Sequence, residues 1–297
     1  MKKFVSLALG LSLVFALGMP VVAIEGEETA SPEASVQAET EAPVASPVVA
    51  DPDTPNIIVN DAAIAMGVPA HIYDDTTYAS YYPIIKALYP EATATWENGQ
   101  AVVTAPGLEV RLPITQPYMI VNGRYLYLPD GYKVSDHIIT VPVRILCAAL
   151  GANLAWDPVG NNVVITAGSG PIAPAEEAYN ADDLYWLSHI INAESGNQPL
   201  SGKIAVGNVV LNRVAHSTFP NTVYSVVFQP GQFTPAANGT VYAEPNAESV
   251  IAAKLCLDGA NVAGNALFFF NYHTAGGCWA AKNRPYVMTI GDHAFHG

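Results

Sequence analysis

The chain has 297 residues, 51% of them hydrophobic, and a formal net charge of −14 at pH 7. This length and apolar content are enough for two domains, each with its own core. Phosphate binding needs clustered Lys and Arg, and a basic stripe is absent from both of the parts expected to fold. The composition therefore argues against nucleic acid as a partner.

The N-terminus has the three regions of a secretory signal peptide, predicted over residues 1 to 23. Met1-Lys2-Lys3 precedes an apolar stretch over residues 4 to 17, and cleavage is predicted after Ala23. An uncleaved membrane anchor is the alternative. The apolar stretch is short for a spanning helix, and no later segment is long and apolar enough to span. We expect a secreted chain with no stable membrane span after signal cleavage.

Residues 24 to 56 have the composition of a linker. They hold eight acidic residues and no Lys or Arg, among many Pro, Ala, Ser and Val residues. Such a segment cannot bury a core, and its charges repel one another. The sequence therefore predicts an acidic, disordered linker ahead of the first folded part.

The next part, residues 57 to 168, contains a repeated pattern. Residues 78 to 105 and 139 to 167 each run from an apolar helix into a Trp-containing strand, a polar turn and a Val-Val strand. The spacing fits two hairpins, with Asn98-Gly99 and Gly160-Asn161 at their tips. We expect Trp96 and Trp156 to pack in a core, and a sugar-stacking face is the alternative. This part is a small α/β module, called the N-terminal module below.

Two landmarks in the N-terminal module are Val121-Asn-Gly-Arg-Tyr-Leu-Tyr-Leu-Pro and Val141-Pro-Val-Arg. With the repeats, they resemble the N-terminal domain of copper amine oxidases. The resemblance does not imply copper chemistry, because the chain lacks the Tyr setting and the large catalytic domain of those oxidases. We expect no cofactor, and the ligand of the module stays open.

After a second linker, residues 169 to 180, the pattern becomes helical. This C-terminal domain, residues 181 to 297, is predicted to be mostly helical with a small sheet, so the fold class is α+β. Gly264 to Tyr272 is rich in aromatic residues and is predicted as a buried strand. The predicted helices cover residues 184 to 193, 202 to 214, 222 to 228 and 245 to 257, the last beginning at Glu244 or Asn246 and stopped by Gly259.

Glu194 lies at the end of the first of these predicted helices. It is the only Asp or Glu in the sequence over residues 184 to 243. A carboxyl group can act as a general acid near neutral pH only if its pKa is raised from about 4.3 towards about 6. A solvated acid at a helix end is the alternative to a catalytic one. The apolar neighbours that can supply the desolvation are Trp186, Ile190, Ile191 and Val206.

The C-terminal domain contains several separated motifs. They are Glu194-Ser195, Leu211-Asn212-Arg213-Val214, Phe219-Pro-Asn-Thr222, Gln229-Pro-Gly-Gln-Phe-Thr-Pro235, Asn265-Ala-Leu-Phe-Phe-Phe-Asn271 and Ile290-Gly-Asp-His-Ala-Phe295. Together they resemble the spore cortex-lytic, SleB-type cell wall hydrolases over roughly residues 182 to 297. The resemblance implies a lysozyme-like fold, cleavage of the glycan strand of peptidoglycan, and Glu194 as the catalytic residue. The resemblance also implies that the protein acts at the cell wall or spore. We expect the protein to be a monomer.

The lack of a second local acid favours a lytic transglycosylase, which forms 1,6-anhydromuramoyl ends with Glu194 as general acid and base. A hydrolytic muramidase or glucosaminidase needs a second carboxylate, and Glu244, Glu248 or Asp258 can fold back to supply one. A non-catalytic cell-wall-binding protein is the alternative from another class.

Five further residues are candidates for substrate binding. Ser195 either orients the carboxyl group or ends the helix, and Gln232 and Phe233 either line the glycan groove or form a surface turn with a buried ring. Asn271 and Tyr272 are candidates for hydrogen bonds to an N-acetyl group or a sugar hydroxyl. Asn212 and Arg213 are expected to tie their helix to neighbouring backbone.

Three Cys residues in an exported chain permit one disulfide. Cys256 and Cys278 are the candidate pair because both fall in the C-terminal domain, and Cys147 is expected to be a buried small hydrophobe. A zinc site from His273, Cys278, His293 and His296 is the weaker interpretation, since a site needs three convergent ligands, so no metal is predicted.

Overall fold

A computed structural model describes residues 51–275 and 277–297. The predicted signal peptide and most of the acidic linker lie outside these residues. The α+β class is confirmed: a strand-rich module precedes a mostly helical domain with a small sheet. Among the described residues, no helix is long and apolar enough to cross a membrane.

The N-terminal module consists of thirteen strands and two short helices. The helices are α1 (Tyr81–Leu88) and α2 (Val143–Ala149). The strands are β1 (Asn56–Val59), β2 (Ala62–Ala63), β3 (His71–Tyr73), β4 (Thr76–Ser80), β5 (Thr93–Glu97), β6 (Gln100–Ala105), β7 (Leu108–Leu112), β8 (Tyr118–Val121), β9 (Arg124–Tyr127), β10 (Lys133–Ser135), β11 (Ile138–Pro142), β12 (Asn153–Asp157) and β13 (Asn162–Thr166).

These strands form three sheets, with the orders β12-β13-β1-β2, β10-β11-β4-β3 and β5-β6-β7-β8-β9. All pairs are antiparallel except β1 with β13. Strands dominate the module more than the predicted α/β pattern suggests, because each repeat contributes one helix of two turns. The apolar faces of the sheets and both helices share one core, to which Ile84, Ile85 and Leu146 contribute.

Both predicted hairpins are confirmed. β5 pairs with β6 so that Trp96 lies opposite Ala101, and β12 pairs with β13 so that Trp156 lies opposite Val163. At the first tip, Asn98 and Gly99 both have positive φ (50° and 79°). A two-residue hairpin turn of type I′ requires positive φ at both positions.

The expected core packing of the two tryptophans is wrong. Trp96 is 58% exposed and Trp156 is 48% exposed. Each lies on the first strand of its hairpin, and β12 is the edge of its sheet. The first strand of each hairpin, β5 or β12, lies at the edge of its sheet, so one side of each tryptophan has no neighbouring strand to cover it.

The C-terminal domain consists of helices packed around one core, with a three-stranded sheet of order β14-β16-β15. The elements are α3 (Ala175–Ala178), in the second linker, α4 (Ala181–Ser195), α5 (Leu200–Ala215), α6 (Val223–Val227), α7 (Thr234–Asn238), α8 (Ala247–Leu257), β14 (Phe268–Asn271), α9 (Tyr272–Ala275), α10 (Trp279–Asn283), β15 (Tyr286–Ile290) and β16 (His293–His296).

The four predicted helices are confirmed as α4, α5, α6 and α8. Asn246 is the cap of α8, since its side chain accepts from the Ser249 N–H, and Gly259 follows the helix with φ of +90°. The aromatic segment does form a strand, β14, but it is half-buried at the edge of the sheet. The buried central strand is β16.

Helices α4, α5 and α8 meet closely at Gly207. A Cβ atom built there would lie 2.6 Å from the Cys256 Sγ atom and 2.9 Å from the Ile191 Cδ1 atom, so only glycine permits this approach. The close packing holds the end of α4, where Glu194 lies, against the rest of the domain.

The N-terminal module and the C-terminal domain share part of one core. Tyr118 of β8 is buried in the core of the C-terminal domain, and Tyr125 and Tyr127 of β9 pack against it. Asp258, which follows α8, accepts hydrogen bonds from the Tyr125 N–H (2.9 Å), from Arg124 and from the Tyr179 hydroxyl. The N-terminal module therefore packs directly against the C-terminal domain, which carries Glu194.

Candidate active site

Glu194 lies in the last turn of α4, which begins at a well-defined cap. The Asn180 side chain accepts from the N–H groups of Asp182 and Asp183, and both acids suit the positive end of the helix dipole. Glu194 lies at the opposite end, where a negative charge is unfavourable. Within the described part of the chain, its half-buried carboxyl group has no hydrogen-bond or ion-pair partner, so it is free to meet a ligand.

Burial raises the pKa of Glu194 to about 7, and the positive charge of Arg213 opposes this shift. Ile190 and Ile191, four and three residues earlier on the same side of α4, are fully buried, as is Val206 of α5. Trp186, two turns earlier, is half-buried. The direction of the predicted pKa shift is confirmed. A large fraction of the carboxyl groups thus keeps its proton near neutral pH.

Arg213 is a charged residue near Glu194 whose role the sequence did not reveal, and its positive charge lowers the pKa of Glu194. Its side chain, only 4% exposed, donates from Nε to the Leu267 carbonyl at 2.8 Å, as expected for a residue that ties α5 to backbone. Its buried Nη1 has no partner among the described residues. The guanidinium carbon lies 5.0 Å from the ring centre of Phe219, 5.1 Å from that of Phe233 and 5.5 Å from that of Phe268.

Burial lowers the pKa of Arg213 to about 10, with Glu194 opposing the change, so Arg213 keeps its charge at neutral pH. The three aromatic rings favour a cation at this position. A signal in the sequence was available, since Arg213 lies in the motif Leu211-Asn212-Arg213-Val214 on a largely apolar helix whose other cation is Lys203. Asn212 behaves as predicted, donating to the carbonyl oxygens of Gly264 and Ala266 at 2.9 Å each.

Two of the five predicted substrate contacts are buried. Ser195 has no exposed surface, and its hydroxyl donates to the Ile191 carbonyl at 2.7 Å, so it completes the helix instead of facing a ligand. Phe233 is 4% exposed and packs in the core beside Arg213. In this structure both residues take their structural alternatives, a helix end for Ser195 and a buried ring for Phe233. Gln232 is exposed in the preceding turn.

Asn271 and Tyr272 lie where β14 passes into α9. The Asn271 Oδ1 atom accepts from the His273 N–H at 3.0 Å, while Tyr272 is 41% exposed and its ring lies 4.0 Å from that of His273. The His273 Nε2 atom is 3.7 Å from the Asp292 Oδ1 atom. Asn271 and Tyr272 stay candidates for sugar contacts, because neither is enclosed in the core.

Two of the three acids considered as a second carboxylate are engaged elsewhere. Glu248 pairs with Lys203 at 2.6 Å, and the Asp258 side chain is fully buried against Arg124. The third, Glu244, is exposed just before the cap of α8.

The candidate disulfide between Cys256 and Cys278 is wrong, since both are free thiols. Cys256 is buried among α4, α5 and α8, where its Sγ atom donates to the Ile204 carbonyl at 3.4 Å, whereas Cys278 lies in the loop before α10. Cys147 is buried as predicted, at 1% exposure.

The histidines near the chain end occupy separate environments. His293 and His296 are three residues apart on β16, so their side chains point to opposite faces of the sheet. The His296 Nδ1 atom lies 3.0 Å from the Arg284 carbonyl oxygen. Among the described residues, no three metal-ligating side chains come together.

Two parts of the chain are similar to known families. Residues 197–296 match the family model described as Cell Wall Hydrolase, beginning three residues after Glu194. Residues 58–165 match the model described as Copper amine oxidase N-terminal domain. Both resemblances predicted from the motifs are confirmed.

The similar proteins of known name include spore cortex-lytic enzymes. A spore cortex-lytic enzyme of Bacillus cereus is 38% identical over 117 residues, 39% of this chain and 45% of the relative. Another, from Oceanobacillus iheyensis, is 35% identical over 136 residues, 46% of this chain and 49% of the relative. The chain thus spans about half the length of the curated relatives it matches.

Solved structures of similar sequence also exist. The catalytic domain of the germination-specific lytic transglycosylase SleB from Bacillus anthracis is 36% identical, with 42% of this chain and 100% of that chain covered and a TM-score of 0.39. The catalytic domain of the Bacillus cereus SleB protein is 38% identical, with coverages of 40% and 92% and a TM-score of 0.38.

Proposed function

We propose that this protein cleaves the glycan strand of peptidoglycan, with Glu194 as the general acid. The observation that carries the proposal is the half-buried carboxyl group at the end of α4, whose pKa burial raises to about 7. A general acid works best when its pKa lies near the operating pH. The cell wall hydrolase match and the spore cortex-lytic relatives support peptidoglycan of the cell wall or spore as substrate.

Glu194 acts twice in the proposed cycle. Its proton passes to the glycosidic oxygen as the bond to the anomeric carbon breaks, and positive charge develops on the sugar. The carboxylate that remains is stabilised by Arg213, whose guanidinium stays charged in the same buried region. Glu194 then accepts a proton from the attacking hydroxyl group and returns to its acid form.

We further propose that the attacking group is the 6-hydroxyl of the same sugar, which gives a 1,6-anhydromuramoyl end. Hydrolysis by a muramidase or glucosaminidase route requires a second carboxylate as nucleophile or as base for water. Glu248 and Asp258 are each paired with a cation, Lys203 and Arg124, and this engagement supports the route that needs no second acid.

Mass spectrometry of fragments released from purified peptidoglycan in water enriched in ¹⁸O tests the proposal. Transglycosylation gives anhydro ends that carry no label, because no water enters the bond. Reducing ends with one ¹⁸O atom would instead establish hydrolysis and would direct attention to Glu244 or Asp292 as a second carboxylate. Release of no fragments from either vegetative or cortex peptidoglycan would overturn cleavage and favour a wall-binding protein.

A further inference from the structure

The N-terminal module contains a cavity with the side chains of a carbohydrate site. It has a volume of about 540 Å³, within the range of small-molecule sites. Its lining includes β12, the edge strand of one sheet, and residues of β3, β4 and the turn between them from a second sheet. The cavity is therefore lined by two sheets, and a chain-like ligand can lie between them.

Trp156 supplies an aromatic surface in this cavity. It lies on β12 two residues from Leu154, so both side chains belong to the same face of the strand and both line the cavity. Trp156 stays 48% exposed although it is among the largest apolar side chains of the module. An exposed indole beside polar groups is suited to stacking on the apolar face of a sugar ring.

The polar groups of the cavity suit a hydroxylated ligand with a carboxylate. Asp75, Thr76 and Asp130 line it and offer acceptors for hydroxyl and amide N–H groups. Arg144 is the single cation of the lining, is exposed, and has no ion-pair partner among the described residues. Its planar guanidinium can bind a carboxylate through two parallel hydrogen bonds.

A second cavity, of about 460 Å³, borders the first. It shares Pro129, Arg144 and Ile145 with the first cavity, and its lining includes Asp258 and Asn261, which follow α8. Arg144 thus borders both cavities. An extended ligand in the first cavity therefore lies next to the domain that carries Glu194, which favours the proposed substrate itself as the occupant.

We propose that this cavity is a second glycan-binding site, in which Trp156 stacks on a sugar ring of the peptidoglycan strand and Arg144 binds a carboxylate of an attached stem peptide. The inference rests on the proposed action on peptidoglycan. The site holds the strand away from the cleavage point, so it contributes to affinity and does not take part in the chemistry.

The repeat of the module provides a matched control. Trp96 occupies the position in the first hairpin that Trp156 occupies in the second, is similarly exposed, and does not line this cavity. Trp156→Ala and Trp96→Ala remove the same side chain from equivalent strands. Only Trp156→Ala should affect a ligand bound in the cavity.

The test is calorimetric binding of purified disaccharide–peptide fragments of peptidoglycan to the full chain carrying Glu194→Gln. Trp156→Ala is expected to weaken binding about tenfold, while Trp96→Ala leaves it within about twofold of the parent. Equal affinities of the two variants, whether both reduced or both unchanged, would overturn the site. Circular dichroism melting checks that both variants fold.

A second variant covers a failure of Trp156→Ala to fold. Arg144→Glu lies at an exposed position, and reversing the charge there should weaken the binding of fragments with free peptide carboxylates by a similar factor. Unchanged affinity would overturn the carboxylate contact and, with it, the proposed site. Binding is measured separately from cleavage, so the two proposals can fail independently. If the wild type releases no fragments but binding still depends on Trp156, the proposed activity is refuted and the second glycan-binding site is not.

Discussion

The Arg124 Nε atom donates to the Asp258 Oδ1 atom at 2.7 Å, across 134 residues of sequence. Arg124 belongs to β9 of the N-terminal module, and Asp258 follows α8 of the C-terminal domain. The Asp258 side chain has no exposed surface, and the Tyr125 N–H and Tyr179 hydroxyl complete its hydrogen bonds. This pair therefore joins the two parts of the chain by a buried charge.

Removing Arg124 should destabilise the whole structure. Arg124→Met leaves the buried Asp258 carboxylate without its cation, and such a loss typically costs about 3 kcal/mol. The measurement is the free energy of unfolding from urea denaturation. Arg111→Met is the control, because Arg111 pairs with Glu109 at a more exposed site, and its loss should cost less than about 1 kcal/mol. Equal losses of stability in the two variants would show that burial of the Arg124–Asp258 pair adds nothing to the cost of losing its cation.

Arg213 should set the pH range of activity. A general acid must be protonated, so kcat/KM should fall as the pH rises through the pKa of Glu194, near 7. The charge of Arg213 lowers that pKa, so Arg213→Met should raise it and move the basic limb of the pH profile to higher pH. Asn212→Ala removes the neighbouring hydrogen bonds to Gly264 and Ala266 without changing charge, and it should leave the limb in place. An unmoved limb in Arg213→Met would contradict the coupling.

Stability should depend on pH through Glu194. The pKa of Glu194 is higher in the folded state than the value of about 4.5 in the unfolded state. The resulting contribution to the free energy of unfolding is fully present below pH 4.5, and it is lost as the pH rises through about 7. Glu194→Gln should therefore be more stable than the wild type at pH 8, by about 3 kcal/mol, and similar at pH 4. Thermal unfolding at both pH values is the measurement. The exposed control Glu244→Gln should change stability by less than about 0.5 kcal/mol at either pH.

The three cysteines should differ in reactivity. Burial raises the pKa of the Cys147 thiol to about 12 and also raises that of Cys256, and both are enclosed by apolar side chains. Iodoacetamide should modify Cys278 alone under native conditions, as read by peptide mass spectrometry. The melting temperature should not change with reductant. A lower melting temperature in reductant, together with blocked Cys256 and Cys278, would restore the disulfide.

Local patterns were sufficient to predict the helices, hairpins and caps. The Asn98-Gly99 turn, the cap at Asn246, which was one of two candidates with Glu244, and the stop at Gly259 each depend on the conformational preferences of a few neighbouring residues. The position of Glu194 at a helix end was predicted for the same reason. These features need no knowledge of the tertiary structure.

Features that depend on which surfaces meet were not predictable. The exposure of Trp96 and Trp156 depends on the absence of a covering layer, and the burial of Phe233 depends on how the loop before α7 folds back towards Arg213. Cys256 faces Gly207 because the helices approach closely there, a relationship that sequence spacing does not contain. The junction of Arg124 with Asp258 joins residues from two separate patterns.

The most direct test of the account is peptidoglycan cleavage by Glu194→Gln beside the wild type, with fragments quantified by mass spectrometry. Glutamine keeps the size and the buried environment of the side chain but cannot donate the proton. The variant should fold, should bind peptidoglycan, and should cleave at least about 100-fold more slowly than the wild type. Cleavage at the wild-type rate by the folded variant would contradict the role of Glu194 as the catalytic acid.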